Sequence, residues 1–83
     1  NVLGNSVNGI SLNSSSANTV KNISDVKGNG NYGIIISNSS SSNKVIGVKV
    51  DSNKKSGIAV SGSSSSNTLT NNVSKNNGGN GDL

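Results

Sequence analysis

The chain has no cysteine, histidine, arginine, glutamate or methionine, and its single aromatic residue is Tyr32. Each gap removes a class of chemistry. Without Cys there is no disulfide framework and no thiolate metal site. Without His, Cys or Met, a copper ion would find neither imidazole nor sulfur ligands. Without Arg there is no fork for phosphate, and without interleaved aromatics no platform for stacked bases, so nucleic acid is not an expected partner. No apolar run approaches the ~20 residues of a membrane-spanning helix, so no membrane span is expected. No secretory signal is visible at the start. An exported parent would carry its targeting signal elsewhere or have lost it.

What remains is dominated by Ser, Asn and Gly. Only 28% of the 83 residues are hydrophobic. That composition alone would suit a disordered linker, and the length suits one small domain. The net charge of +4 comes from seven Lys against three Asp. Spread through a polar chain, it makes a weak field that serves solubility rather than a polyanion partner.

The apolar residues, however, are not scattered. Gly9, Gly33, Gly57 and Gly81 stand 24 residues apart. They open units reading GISLNSSSANTVKNISDVKGNGNY, GIIISNSSSSNKVIGVKVDSNKKS and GIAVSGSSSSNTLTNNVSKNNGGN. After the glycines come the pairs Ile10/Leu12, Ile34/Ile36 and Ile58/Val60, the alternation of a strand with one apolar face. Serine-rich segments follow (Ser14–Ser16, Ser39–Ser42, Ser63–Ser66), ending in Asn18, Asn43 and Asn67. Two residues after each Asn stands an aliphatic: Val20, Val45, Leu69. A third apolar cluster takes in Ile23 and Val26, then Val48 and Val50, then Val73. The first serine turn is one residue short, and the later part of the first unit restores the total.

Short one-faced strands cannot stand alone. They can when each pairs with its equivalent in the coils above and below, roughly 4.8 Å away. Ile10, Ile34 and Ile58 then form one inner column, and Leu12, Ile36 and Val60 another, with Val20, Val45 and Leu69 as a third. A helical solenoid would need 3.6-residue periodicity and better helix formers. The expected fold is therefore all-β: a parallel β-helix (solenoid) of about three coils of 24 residues, right-handed because parallel crossovers almost always are. The whole chain, 1–83, reads as one segment: 1–8 as the tail of a preceding coil, 9–32, 33–56 and 57–80 as coils, and 81–83 as the start of another. Asn and Gly suit the tight turns, and Asn18, Asn43 and Asn67 are placed to form an amide ladder. End coils with one neighbour are marginal, and their open edges invite pairing.

These units resemble the pectate-lyase-like right-handed β-helix repeats, most closely those of NosD-like and surface adhesin-like proteins. The resemblance spans essentially the whole chain. It is specific for fold and open on function, since such repeats serve lyases, epimerases, tailspikes, periplasmic maturation factors and adhesins alike. The sugar-acting members use Asp clusters for calcium. Here only Asp25, Asp51 and Asp82 are available, so no metal or other cofactor and no catalytic residue is expected. GGNGDL at 78–83 is one residue short of the calcium-binding nonapeptide GGxGxD and reads as a turn. Within the 24-residue unit Asp25 aligns with Lys49, and Asp51 falls between Lys27 and Lys75. This arrangement suits alternating surface charge. Lys27, Asp51, Lys75 and Tyr32 are also the candidate contacts for a polysaccharide. Asn13, Asn22, Asn38 and Asn72 fit the glycosylation pattern, which matters only in a glycosylating host.

The expected function is a non-enzymatic structural or adhesive module of an exported surface or filament protein, extracellular or periplasmic. Its partners would be copies of itself, further coils of the same protein, or glycans. The alternative is a fragment of a polysaccharide lyase or epimerase whose active site lies outside this segment.

Overall fold

The computed structural model describes residues 2–62 and 64–78. The further coil expected at 81–83, and with it Asp82, lies outside them. Among the described residues there are ten short strands and no helix: β1 (Val2–Leu3), β2 (Ile10–Asn13), β3 (Thr19–Lys21), β4 (Val26–Lys27), β5 (Ile34–Ser37), β6 (Lys44–Ile46), β7 (Lys49–Asp51), β8 (Ile58–Val60), β9 (Thr68–Thr70) and β10 (Val73–Lys75). Each pairs in parallel with its counterpart one winding away, giving three sheets ordered β1-β4-β7-β10, β2-β5-β8 and β3-β6-β9. This is a β-solenoid of about three turns.

The inner columns follow from the register. Ile10 pairs with Ile34 and Ile34 with Ile58; Leu12 pairs with Ile36 and Ile36 with Val60. Val20, Val45 and Leu69 align in the second sheet. Ile34, Ile36, Val45 and Val50 in the middle of the stack are 0% exposed, as is Ile58 in the last described coil. Ile10, Leu12, Val20, Val60 and Leu69, in the first and last described coils, are half-buried and pack against that core.

The third sheet shows which members of the third apolar cluster face inward. Its inner column runs Val2, Val26, Val50 and then Ser74, because Val73 pairs with Lys49 and points outward, 51% exposed. The third apolar cluster therefore ends in a serine. A one-residue shift in a strand moves every side chain to the other face, and the variable spacing of this cluster concealed the register.

The missing residue of the first serine turn is visible as geometry. Ser14 stands alone in the left-handed region (φ 51°) where the next coil has both Asn38 and Ser39 (φ 55° and 62°). From there the coils run offset by 25 residues, as in the Asn18–Asn43 contact. The count is recovered before β4. The N–H of Lys49 donates to the carbonyl of Ile23 at 3.0 Å while Val50 pairs with Val26, so Ser24 and Asp25 together face Lys49.

Turns also stack. Ala17, Ser42 and Ser66 share φ near 57–58°, and Gly4, Gly28, Ser52 and Asn76 share φ of 56–67°. The glycine that opens each unit has a different reason. A Cβ on Gly33 would collide with Cγ1 of Val50 and lie 2.7 Å from the carbonyl oxygen of Gly57 and 2.8 Å from Nδ2 of Asn53. Gly9 and Gly57 meet the equivalent side chains. The 24-residue glycine period thus marks where the chain crosses close over its own interior.

Candidate binding surface

Two amide ladders fix how the coils lie on one another, and so where the outer side chains sit. In the first, the backbone N–H of Asn18 donates to Oδ1 of Asn43 at 2.9 Å. The backbone N–H and Nδ2 of Asn43 donate to Oδ1 of Asn67 at 2.9 and 3.1 Å. The three residues named from the sequence are brought together, Asn18 through its backbone rather than its amide. Asn43 is 0% exposed, and its Nδ2 also reaches the carbonyl of Ser15 at 3.1 Å. Ser15, Ser40 and Ser64 build a parallel hydroxyl ladder beside it, each backbone N–H donating to the next Oγ at 3.0 and 3.1 Å.

The second ladder was not foreseen. Asn5, Asn29, Asn53 and Asn77 lie 24 residues apart, and each backbone N–H and each Nδ2 donates to the next Oδ1 at 2.8–3.0 Å. The same Nδ2 of Asn53 reaches back to the carbonyl of Val26 at 3.0 Å. The 24-residue spacing could have found it. It was hidden among the many other asparagines near the coil ends.

On the outer face of the third sheet Lys27 pairs with Asp51 and Asp51 with Lys75, so these three candidate contacts form one column on adjacent strands. The Oγ of Ser52 donates to Oδ1 of Asp51 at 2.7 Å. That bond, chiefly, holds the carboxyl below its ordinary pKa, against some desolvation, with help from Asn76 and the charges of Lys75 and Lys27. Tyr32 is placed elsewhere. It lies half-buried in the turn between β4 and β5, with Nζ of Lys55 5.8 Å from its ring centroid. That is a cation–π distance.

Of the four sequon asparagines, Asn13, Asn22 and Asn38 are exposed. Asn72 is committed to the fold, its Oδ1 accepting from the Val48 N–H and its Nδ2 donating to the Val45 carbonyl, both at 2.9 Å. Among the described residues no three His, Cys, Asp or Glu side chains gather into a possible metal site. No helix there is long and apolar enough to cross a membrane.

A sequence profile of the right-handed β-helix region matches residues 1–81. The handedness expected from the crossover rule agrees with that description. No curated protein and no solved structure matches the chain.

Proposed function

We propose that this chain, which belongs to the right-handed β-helix family, is a non-enzymatic structural segment of an exported surface or filament protein. It is a length of rigid rod that rests on further coils of the same protein or on copies of itself. One observation carries this reading: the Asn5–Asn29–Asn53–Asn77 ladder, buried at Asn29 and Asn53, repeats the same two hydrogen bonds at every winding. Each rung donates toward the following coil and accepts from the preceding one. A further coil in register therefore meets complementary groups, in addition to the open strand edges.

A solenoid of this kind gains stability from each nearest-neighbour interface. Duplicating residues 33–56 in register inserts one more fully covered coil. The extended chain is expected to unfold at a higher temperature and to lengthen by about one strand spacing, ~4.8 Å, in solution scattering. Filaments whose axial repeat is a multiple of that spacing, seen by electron microscopy, would support assembly between copies. Equal or lower stability of the extended chain would refute the additive rod. Cleavage or epimerisation of an acidic polysaccharide by the chain alone would refute its non-enzymatic character.

A further inference from the structure

The outer face of the β1-β4-β7-β10 sheet carries a charge pattern that end-on stacking does not use. Two outer columns flank the inward valines of β4 and β7. One runs Asp25, Lys49 and Val73, the other Lys27, Asp51 and Lys75. Asp25 and Lys49 border the same surface depression, so both lie on the outside. The order of charge reverses between windings: acid then base at 25 and 27, base then acid at 49 and 51. Both carboxylates among the described residues are here, on one diagonal of this square, and two lysines hold the other. Neighbouring charges stand roughly 4.8 Å apart across strands and about 7 Å along them.

A square of alternating charge is complementary to itself. When two such faces meet about a two-fold axis along the rod, Asp25 opposes the second copy's Lys27 and Lys49 opposes its Asp51. Val73 then lies against the aliphatic stem of the second copy's Lys75. A two-fold axis across the rod, between the first two of these windings, matches Asp25 with Lys49 and Lys27 with Asp51 instead. Every charge of the square meets its opposite either way. A polymer of one charge sign would meet a repelling group in both windings. Within the chain, no lysine of this face closes an ion pair with either carboxylate among the described residues. The three lysines are exposed and the two carboxylates half-buried.

We infer that this face pairs with the same face of a second copy, so that two rods lie side by side. The contact uses no strand edge and no ladder amide, and it stands independently of the end-on reading above. Three windings make a small interface, so one segment pairs weakly and a longer rod more firmly.

The test is sedimentation, with amide NMR shifts, of the chain and three double variants. In ~0.01 M salt, where charges act over ~30 Å, the chain should self-associate with shifts centred on residues 25–27, 49–51 and 73–75. Raising the salt to ~0.15 M should weaken association about tenfold. Asp25→Asn with Asp51→Asn should do the same, the size expected when several modest exposed ion pairs are lost together. Asp25→Lys with Asp51→Lys makes all four charges of the square positive, and Lys27→Asp with Lys49→Asp makes all four negative. Each of these should be monomeric alone, and the two should pair when mixed. The first takes the chain from +4 to +8 and the second to 0, so their pairing reports the face rather than net attraction. Circular dichroism checks that the strands persist, and the neutral variant carries the test if a reversal unfolds the chain. No self-association in low salt overturns the inference, as does failure of the two folded reversal variants to pair. Association that survives the neutral variant, with shifts centred on the end strands, would leave end-on stacking standing and the lateral contact refuted.

Discussion

Asn29 is tied twice to Asn53: its backbone N–H and its Nδ2 both donate to the same Oδ1, at 3.0 and 2.8 Å. Asn53 in turn donates to the Val26 carbonyl and to Asn77 and is 2% exposed. Truncating it strands donors and acceptors in a dry interior, each at about 1–3 kcal/mol. Asn53→Ala is therefore expected to destabilise the chain by about 3 kcal/mol or more, measured by urea unfolding. Asn13→Ala removes an exposed amide whose Oδ1 accepts from Asn38 at 2.7 Å. It should cost well under about 1 kcal/mol. Equal effects would refute the ladder as a principal tie between coils.

The unit-opening glycines make a second comparison. At Gly33 a methyl group meets the Val50 side chain, the Gly57 carbonyl oxygen and the Asn53 amide. Overpacking of this kind typically costs about 1–3 kcal/mol. It also displaces a ladder rung, so Gly33→Ala should fall at or above the top of that range. At Gly4 a Cβ meets nothing within 4 Å, but φ is +64°. Gly4→Ala should cost only the left-handed backbone penalty, about 1–2 kcal/mol. Thermal unfolding of the two variants side by side separates crowding from backbone strain. A larger loss for Gly4→Ala would reverse the assignment.

The reach of sequence reasoning has a physical boundary here. The glycine period, the Ile10–Ile34–Ile58 column and the Asn18–Asn43–Asn67 alignment were legible because the residue type itself repeats where the structure repeats. The Val50–Ser74 pairing was not, because a polar residue occupies the inner place while an aliphatic sits beside it on the outer face. The place where the first unit recovers its missing residue was not either. The spacing shows the short serine turn and the restored total, but Ser24–Asp25 as the point of recovery appears only in the pairing of Lys49 and Val50 with the coil before.

That facing has a direct consequence. Val50 is 0% exposed, at the centre of its column, whereas Val73 is 51% exposed. Val50→Ala removes buried methyl groups and leaves a gap that flanking coils can only partly close, at about 2–3 kcal/mol. Val73→Ser touches solvent and should stay within about 0.5 kcal/mol. Chemical denaturation of both variants checks the strand register without a new structure. A large loss from Val73→Ser would place Val73 inward and refute this register.

The outer column predicts a pH dependence. Asp51 is held below its ordinary carboxyl pKa of 3.8, first by the Ser52 hydroxyl, then by Asn76 and the flanking Lys75 and Lys27. The folded value is thus lower than the unfolded one. The ionised carboxylate favours the fold fully above the unfolded pKa, and that contribution fades as the pH falls through the folded value. Carbon-detected NMR titration should show the Asp51 midpoint rising in Ser52→Ala by more than in Lys75→Gln, because the hydroxyl contact is the larger influence. Added salt should shrink only the lysine part, since exposed charges are screened within about 10 Å at 0.1 M ionic strength. A midpoint that ignores Ser52→Ala but shifts strongly with salt would mean that the lysine column, rather than the adjacent hydroxyl, holds the charge.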